Sequence, residues 1–224
     1  GCINSAFKLS DGDQTWFVKT NGAARLDMFE AEAEGLEALA AGDAIKVPHA
    51  LCTGTAEGLS FIVMEHLALG RGNSDGWVRA GRQLAGLHRN RAVAFGWTRS
   101  NTIGATPQHN RRQDEWVSFW REQRLGFQLA LAASNGHGGR LQTLGEQLLD
   151  RFPALVDHSP EPSLLHGDLW GGNIGFTRLG EPVIYDPATY YGDREAELAM
   201  TELFGGFSAH FHAAYREAWP LDAG

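Results

Sequence analysis

The first part of the chain alternates apolar and polar residues in short segments, the pattern typical of β-strands. Segments 5–9 and 14–20 flank Asp11-Gly12-Asp13, a turn sequence that predicts a β-hairpin. The apolar run 61–65 predicts a short buried strand, and segment 27–41 between these strands has a helical period. These segments predict a small sheet accompanied by one helix.

From about residue 75 onward, apolar residues recur mainly with the period of a helix. Helices are predicted over 75–90, 113–134, 139–152, 193–204 and 207–219. A strand-rich segment, 163–187, interrupts this helical part, and Gly, Asn and Ser cluster near 66–76. We therefore predict an α+β fold with a strand-rich lobe at 1–67 and a larger, mainly helical lobe at 68–224.

Composition narrows the possible partners. Hydrophobic residues make up 43% and charged residues 21% of the 224 residues, as in ordinary folded proteins. The net charge of -8 argues against broad nucleic-acid binding, which needs a cationic surface. No apolar run reaches the roughly 18–20 residues that span a bilayer, no signal peptide is evident, and two cysteines form no disulfide framework. A cytoplasmic location with no membrane partner is predicted.

The clearest chemical signal is segment 165–173, which has the form H-x-D-x-x-x-x-N of a kinase catalytic loop. Asp168 is predicted to accept a hydrogen bond, and then a proton, from a substrate hydroxyl. Asn173 is predicted to offer its amide oxygen to Mg²⁺. Gly171 and Gly172 allow the tight bend that brings both side chains to one point.

Asp186 ends the second strand of a predicted hairpin whose first strand begins just after Asn173. Because a hairpin returns the chain to its starting point, Asp186 is expected beside Asn173, where the two oxygens and ATP phosphates would suit Mg²⁺. The alternative is that Asp168 and Asn173 are ordinary turn residues. Three such residues followed by a strand pair favour the metal site.

Lys19 ends the strand pattern Trp16-Phe17-Val18-Lys19, as the phosphate-anchoring lysine of kinases does. Glu32 falls on the apolar stripe of the helix at 27–41, which is formed by Met28, Phe29, Leu36 and Leu39. A carboxylate on that stripe requires a cation, and Lys19 is the natural candidate. The alternative is that Glu32 lies at the edge of the stripe and reaches water.

Two further positions have open interpretations. Segment 1–5 lies where a kinase folds a loop over the phosphates, so Cys2 and Ile3 are candidate nucleotide contacts, although small loop residues would read the same way. Trp170 lies two residues after Asp168. Its indole would either stack on the acceptor substrate or pack against the helical lobe.

Several motifs together resemble the fructosamine kinase (ketosamine kinase) family. They are Gly1-Cys2-Ile3-Asn4, Met28 to Glu32, Asn101-Thr102-Ile103-Gly104, Thr106-Pro107-Gln108, His166 to Asn173, Tyr185 to Ala188, Tyr191 to Glu195 and Leu203 to Phe207. The Asp168–Asn173 and Asp186-Pro187-Ala188 stretches distinguish this family from the related aminoglycoside and choline kinases. The resemblance covers nearly the whole chain.

The resemblance implies a protein-kinase-like bilobal fold and transfer of the ATP γ-phosphate to the third-carbon hydroxyl of an amine-linked ketose, a deglycation reaction. It implies that Asp168 is the base, that Asn173 and Asp186 hold Mg²⁺, that Lys19 grips phosphate and that Glu32 orients Lys19. A hinge that meets adenine is implied at Met64, Glu65, His66 and Leu67.

The chain departs from the family pattern in three places. A first strand before Gly1 and helices after Asp222 are expected in the family and are expected to be missing here, and Glu197 stands where the family commonly has Asp. Other acceptors, such as an aminoglycoside, choline or another alcohol, stay open, as does a non-catalytic nucleotide-binding protein, although that protein would have no use for Asp168. The preferred ketosamine, free or protein-bound, and the oligomeric state stay open.

Overall fold

The N-terminal part is a four-stranded antiparallel sheet in the order β1-β2-β4-β3. In the computed structural model, which describes residues 3–221, the strands are β1 (Ser5–Ser10), β2 (Thr15–Gly22), β3 (Ala50–Ala56) and β4 (Leu59–Glu65). Gly12 has φ +106° in the turn between β1 and β2, a conformation that only glycine adopts at little cost. The predicted first hairpin and the strand at 61–65 are present; β3 was not predicted.

Helix α1 (Leu26–Ala41) packs against β3 and β4. Phe29, Leu36 and Leu39 are fully buried on its inner face together with Ile62 of β4. Burial of each such side chain contributes about 1.5–3 kcal/mol. This apolar contact fixes the rotation of α1 about its axis, and that rotation decides where Glu32 points.

The C-terminal part is mainly helical. Its helices are α2 (Ser74–His88), α3 (Trp116–Trp120), α4 (Phe127–Ser134), α5 (Arg140–Arg151), α6 (Arg194–Leu203) and α7 (Ala209–Ala218). The side chains of Asn73, Asp193 and Ser208 cap α2, α6 and α7 by accepting hydrogen bonds from the first turn. Helices α2 and α7 pack together around Leu84 and Tyr215, both fully buried.

The predicted helix at 113–134 differs from the structure at its start and in its middle. Residue Gln113 instead forms a bridge with Phe95, with N–O distances of 2.9 and 3.1 Å, so the helix begins only at Trp116. Residues Arg121–Gly126 form a π-helical turn between α3 and α4. A Cβ at Gly126 would overlap the carbonyl oxygen of Arg121, so this turn depends on the glycine.

Six short strands bring distant parts of the helical region together. They are β5 (Asn101–Ile103), β6 (Thr106–Gln108), β7 (Ser163–Leu165), β8 (Ile174–Phe176), β9 (Pro182–Ile184) and β10 (Tyr190–Gly192). The pairs are β5 with β6, β7 with β10 and β8 with β9, all antiparallel. The β8–β9 hairpin is the one predicted from the sequence.

The sheet and the helical part are joined by direct contacts. The backbone N–H of Ile184 donates to the carbonyl oxygen of Lys46 at 3.0 Å, and Arg99 pairs with Asp27 and Glu34 on α1. These contacts join α1 to the segment before β5, and the segment after α1 to the β8–β9 hairpin. Among residues 3–221, no helix has the length and apolar character needed to cross a membrane.

Candidate active site

The loop between β7 and β8 carries Asp168 and Asn173 and is held by its own backbone. The N–H of Trp170 donates to the carbonyl oxygen of Asp168 at 3.1 Å, and the N–H of Asn173 donates to that of Trp170 at 2.9 Å. Gly167 has φ +84°, and a Cβ there would overlap the carbonyl oxygen of Ala188. Glycine is therefore required where the loop passes beneath the next segment.

Asp168 and Asn173 meet in the cleft. The amide nitrogen of Asn173 donates to the backbone oxygen of Asp168 at 2.8 Å and to its carboxylate at 3.1 Å. Burial raises the pKa of Asp168 to about 6, while the hydrogen bond from Asn173 opposes the shift. Because Asn173 holds one carboxylate oxygen, the other is available to an incoming hydroxyl.

Asp186 reaches the same point from the end of β9. The N–H of Tyr185 donates to the carbonyl oxygen of Asn173 at 3.1 Å, which closes the hairpin around the pair. Asp186 itself has φ +60°, a conformation uncommon for a residue other than glycine. Such strain persists only where the surroundings enforce it. The predicted convergence of Asp168, Asn173 and Asp186 is therefore present.

Lys19 lies between two carboxylates. Its Nζ is 2.6 Å from Oε1 of Glu32, and it also pairs with Oδ1 of Asp186. The side chains of Lys19 and Glu32 are 8% and 10% exposed, so Glu32 does not reach water as the alternative required. The predicted ion pair is present, and the contact with Asp186 joins it to the end of the β8–β9 hairpin.

The charges of this pair follow from burial and pairing. Burial lowers the pKa of Lys19, but the charges of Glu32 and Asp186 outweigh it, and the pKa lies above its usual value. Burial raises the pKa of Glu32, and the positive charge of Lys19 opposes this without cancelling it. Lys19 is therefore a firmly protonated cation at the floor of the cleft.

Glu197 on α6 holds the start of the loop between β7 and β8. Its carboxylate accepts hydrogen bonds from the backbone N–H groups of His166 and Gly167 at 3.1 and 2.6 Å, and it contacts Nε2 of His88 at 2.9 Å. Burial favours its neutral form, but these donors outweigh burial and hold the pKa of Glu197 below its usual value. The other ring nitrogen of His88 contacts the hydroxyl of Tyr215 at 2.8 Å.

Replacing Glu197 with Gln is expected to lower the free energy of unfolding by about 1–3 kcal/mol, because the new NH₂ group takes the place of one acceptor oxygen and cannot accept a hydrogen bond from the donor that faces it. Turnover should fall as the loop loses its support. Chemical denaturation of Glu197→Gln and Glu197→Asp measures this, and Glu197→Asp, which keeps the charge, should lose less. Equal stability of Glu197→Gln and the unchanged protein would contradict the assigned role.

His166 is fully buried and joins the loop that carries Asp168 to the end of β9. Its Nε2 donates to the carbonyl oxygen of Tyr185 at 3.0 Å, and its Nδ1 accepts from the N–H of Asp168 at 3.3 Å. Burial lowers the pKa of His166. These contacts give His166 a structural function in joining the two segments.

A cleft of about 300 Å³ opens above these residues. Its lining includes Ile3 and Asn4 from the loop before β1, Phe17 and Lys19 from β2, Met28, Ala31 and Glu32 from α1, Asn101, Thr102 and Gly104 from the β5–β6 hairpin, and Asp168, Trp170, Asn173, Asp186, Pro187 and Ala188. Cys2 lies outside the described residues. The cleft is thus formed by both parts of the molecule.

The segment predicted as an adenine hinge lies at the end of β4. Met64 is buried in register with Phe17, and Glu65, His66 and Leu67 are half-buried. Among the described residues, these four are absent from the lining of the cleft, whereas Phe17, the register partner of Met64, belongs to it. Their contact with adenine stays a prediction.

Trp170 lies at the mouth of the cleft. Its side chain covers Gly172 and meets Phe204 edge to face at a centroid distance of 6.2 Å, yet the residue is 41% exposed. One side of the indole therefore packs and part of it faces the cleft, while its contact with a substrate stays a prediction.

The donor set at the hairpin fits a hard divalent cation. Because the amide nitrogen of Asn173 points to Asp168, its amide oxygen is the atom left for a metal, and the Asp186 side chain is 41% exposed. Within residues 3–221, no group of three or more His, Cys, Asp or Glu side chains could hold a metal by itself. Two protein oxygens completed by phosphate and water suit Mg²⁺.

The sequence interpretation did not assign functions to three features. The β5–β6 hairpin enters the cleft, Glu197 holds the catalytic loop, and Asp186 pairs with Lys19. The strands of the hairpin have three residues each, too few to show a period. Glu197 is one carboxylate among several on α6, and only tertiary packing distinguishes it.

The family model for fructosamine kinase matches residues 1–224, the whole chain. The chain belongs to the fructosamine kinase family. A Synechocystis protein named as a probable ketoamine kinase is 50% identical over 225 residues, which cover 100% of this chain and 76% of that protein. The predicted family is confirmed.

Solved structures show that this fructosamine kinase family member has the expected fold. A crystal structure from Haemophilus somnus, assigned as a fructosamine-3-kinase, matches with a TM-score of 0.90 at 31% identity, covering 99% of this chain and 74% of that one. An aminoglycoside-3'-phosphotransferase of type VIII matches with a TM-score of 0.62 at 19% identity, over 98% of this chain and 84% of that chain. The predicted kinase-like α+β fold is confirmed.

Proposed function

We propose that this protein transfers the γ-phosphate of ATP to the third-carbon hydroxyl of a ketosamine, a ketose joined to an amine. The observation that supports this best is the convergence of Asp168, Asn173, Asp186 and Lys19 on one cleft. Family membership and the names of the relatives support the acceptor class.

Phosphoryl transfer depends mainly on positioning and charge neutralisation. In the proposed reaction the acceptor oxygen attacks the γ-phosphorus, the bond to the β–γ bridging oxygen breaks, and ADP leaves. Asp168 orients the hydroxyl through its free carboxylate oxygen and takes the proton. A partly buried carboxylate with a raised pKa is suited to accept that proton.

Lys19 holds ATP phosphates, and Glu32 fixes the ammonium group in place. Asn173 and Asp186 would hold Mg²⁺ through their side-chain oxygens. When bound, Mg²⁺ neutralises charge that develops on the phosphate oxygens. Ile3, and Cys2 by its place in the sequence, are proposed next to the phosphates, and Met64 to Leu67 next to adenine. The proposed lobes are residues 1–67 and 68–224.

Trp170 is proposed to contact the acceptor. Replacing it with Ala removes the exposed part of an indole at the cleft mouth, which is worth about 0.5–1.5 kcal/mol and should raise the acceptor KM roughly two- to tenfold. Initial rates at varied acceptor and saturating ATP measure this. Trp97→Ala, a half-buried indole outside the cleft lining, is the control. An unchanged acceptor KM would assign Trp170 to packing alone.

ATP turnover on a panel of acceptors tests the proposed substrate class. The panel contains ribose-, erythrose- and glucose-derived ketosamines, together with an aminoglycoside, choline and a homoserine-like alcohol. We expect turnover with at least one ketosamine and none with the other alcohols. If only the other alcohols were turned over, the protein would be a kinase of this fold with a different acceptor, and the ketosamine proposal would be wrong. The cytoplasmic location stays a prediction, which this experiment does not test.

A further inference from the structure

The segment that follows Asp186 is held by buried carboxamides of the β5–β6 hairpin. The side-chain nitrogen of Gln108 donates to the carbonyl oxygen of Ala188 at 2.9 Å, and that of Asn101 donates to the carbonyl oxygen of Thr189 at 2.9 Å. Gln108 is 5% exposed and Asn101 is 9% exposed. Two consecutive peptide carbonyls are thus held by side chains more than 70 residues away in sequence.

The two carboxamides are themselves ordered by further hydrogen bonds. The side-chain oxygen of Asn101 accepts from Gln108 and from Asn110, each at 2.9 Å. Asn110 is 1% exposed, and its side-chain oxygen accepts from the guanidinium of Arg124 at 2.8 Å. Each donor in this cluster therefore has one defined orientation, a condition under which a buried polar network adds rigidity.

The peptide that Gln108 holds connects the loop that carries Asp168 with the segment that follows Asp186. The N–H of Ala188 donates to the carbonyl oxygen of His166 at 2.8 Å, and its carbonyl lies directly against Gly167, next to Asp168. Ala188 is also only two residues after Asp186, which has φ +60°. On its other side, Thr189 packs against Gly35 of α1, one turn after Glu32.

We propose that Gln108 is a positioning residue. Together with Asn101 it locks residues 187–189 between the catalytic loop and α1, and so keeps Asp186 in its strained, metal-facing conformation. Gln108 is absent from the described lining of the cleft, so it acts through Ala188 and not on a substrate. The effect on metal binding rests on the proposed function, which places Mg²⁺ at Asp186. The hydrogen bonds that lock residues 187–189 are present in the protein without a ligand.

The lock can be explained by the short connection after Asp186. Helix α6 begins at Arg194, so residues 187–193 are all that separates the metal-facing carboxylate from the next helix. Protein kinases order the corresponding region through an activation loop that phosphorylation fixes in place. Here, buried hydrogen bonds from the β5–β6 hairpin fix it without modification.

Gln108→Met tests the lock, because Met keeps the length and volume of the side chain and removes both donated hydrogen bonds. Gln142→Met is a matched control: Gln142 also donates to two backbone carbonyls, those of Leu129 and His137 at 3.1 and 3.0 Å, but far from the cleft. Asn101→Asp is a second variant, in which a carboxylate oxygen replaces the donor to the Thr189 carbonyl while the acceptor for Gln108 and Asn110 is kept.

Hydrogen–deuterium exchange of the ligand-free proteins is the first measurement. Loss of the two hydrogen bonds should speed exchange of the Ala188 amide on the order of tenfold in Gln108→Met, and less in Asn101→Asp. Gln142→Met should leave it unchanged. The lock would be disproved if the Ala188 amide exchanged at the same rate in Gln108→Met as in the unchanged protein. If Gln108→Met did not fold, the same comparison would be made with Asn101→Asp.

Binding of Mn²⁺ with a non-hydrolysable ATP analogue, followed by electron paramagnetic resonance, is the second measurement. We expect Gln108→Met to weaken Mn²⁺ on the order of tenfold, as loss of an outer-shell partner does, and Gln142→Met to leave it unchanged. If Gln108→Met bound Mn²⁺ as tightly as the unchanged protein, the proposal that Gln108 positions Asp186 for the metal would be wrong. If the unchanged protein bound no Mn²⁺ with nucleotide, the proposed function would fail, while hydrogen exchange would still decide the lock.

Discussion

Replacing Asp168 with Asn is expected to lower kcat by roughly 10²–10⁴-fold while the affinity for ATP stays close to that of the unchanged protein. In the structure, Asn173 donates to one carboxylate oxygen of Asp168. In the variant, the amide oxygen would accept that hydrogen bond and the NH₂ group would face the acceptor. A donor in that place can neither orient the hydroxyl for attack nor take its proton.

Steady-state turnover, together with calorimetric titration of an ATP analogue, measures both halves of this expectation. Asp150→Asn is the matched control, because Asp150 is outside the cleft lining and its side chain is 82% exposed. Its Oδ1 lies 3.8 Å from Nη2 of Arg121. Turnover of Asp168→Asn within twofold of the unchanged protein would remove Asp168 from the mechanism. A loss of turnover with an equal loss of ATP affinity would make it a binding residue.

Replacing Lys19 with Met is expected to impair both folding and nucleotide binding. The change leaves Glu32 as a buried carboxylate with no cation, and breaking a buried pair in this way costs about 3–5 kcal/mol of unfolding free energy. The ATP phosphates also lose their cation. Urea denaturation and titration of an ATP analogue measure the two effects separately.

The double variant Lys19→Met/Glu32→Gln separates stability from function. With no charge left on residue 32, more than half of the lost stability should return, because Asp186 is exposed enough to be hydrated. Nucleotide affinity and turnover should stay low. Stability that stayed as low in the double variant as in Lys19→Met would contradict the ion-pair explanation, and full turnover in either variant would contradict the phosphate-binding role.

The ion pair could be predicted because its signal is local. Glu32 interrupts an apolar stripe that recurs along α1, and Phe29, Leu36 and Leu39 of that stripe are buried as the period requires. When one face of a helix is buried, every side chain on that face is buried with it, including a charged one such as Glu32. The same logic placed Asp186 beside Asn173, since a hairpin fixes which residues meet at its open end.

Features that depend on tertiary contacts could not be predicted from the sequence. Strand β3 has little alternation, and its one local sign is Glu57-Gly58, where φ values of +50° and +78° form a two-residue hairpin turn. The π-helical turn at Arg121–Gly126 consists mostly of residue types that are common in α-helices, and it changes only the winding of the helix. Neither feature leaves a period that a single sequence displays.

The carboxamides of the β5–β6 hairpin show the same limit at the site. Asn101 and Gln108 were notable in the sequence only through a family resemblance, because isolated Asn and Gln residues are usual in loops. Their burial and their bonds to the Thr189 and Ala188 carbonyls depend on segments that lie 80 or more residues away in the sequence. Polar residues that are buried by distant segments leave no local pattern.

Phosphorus NMR of the reaction products tests the central claim most directly. The protein, ATP and Mg²⁺ are incubated with a ribose-derived ketosamine, once with the unchanged protein and once with Asp168→Asn. We predict a new phosphate-ester signal, coupled to the proton on the third sugar carbon, that grows as ADP forms and is absent with Asp168→Asn. ADP formation without any sugar phosphate, or an ester of equal intensity with Asp168→Asn, would contradict the account.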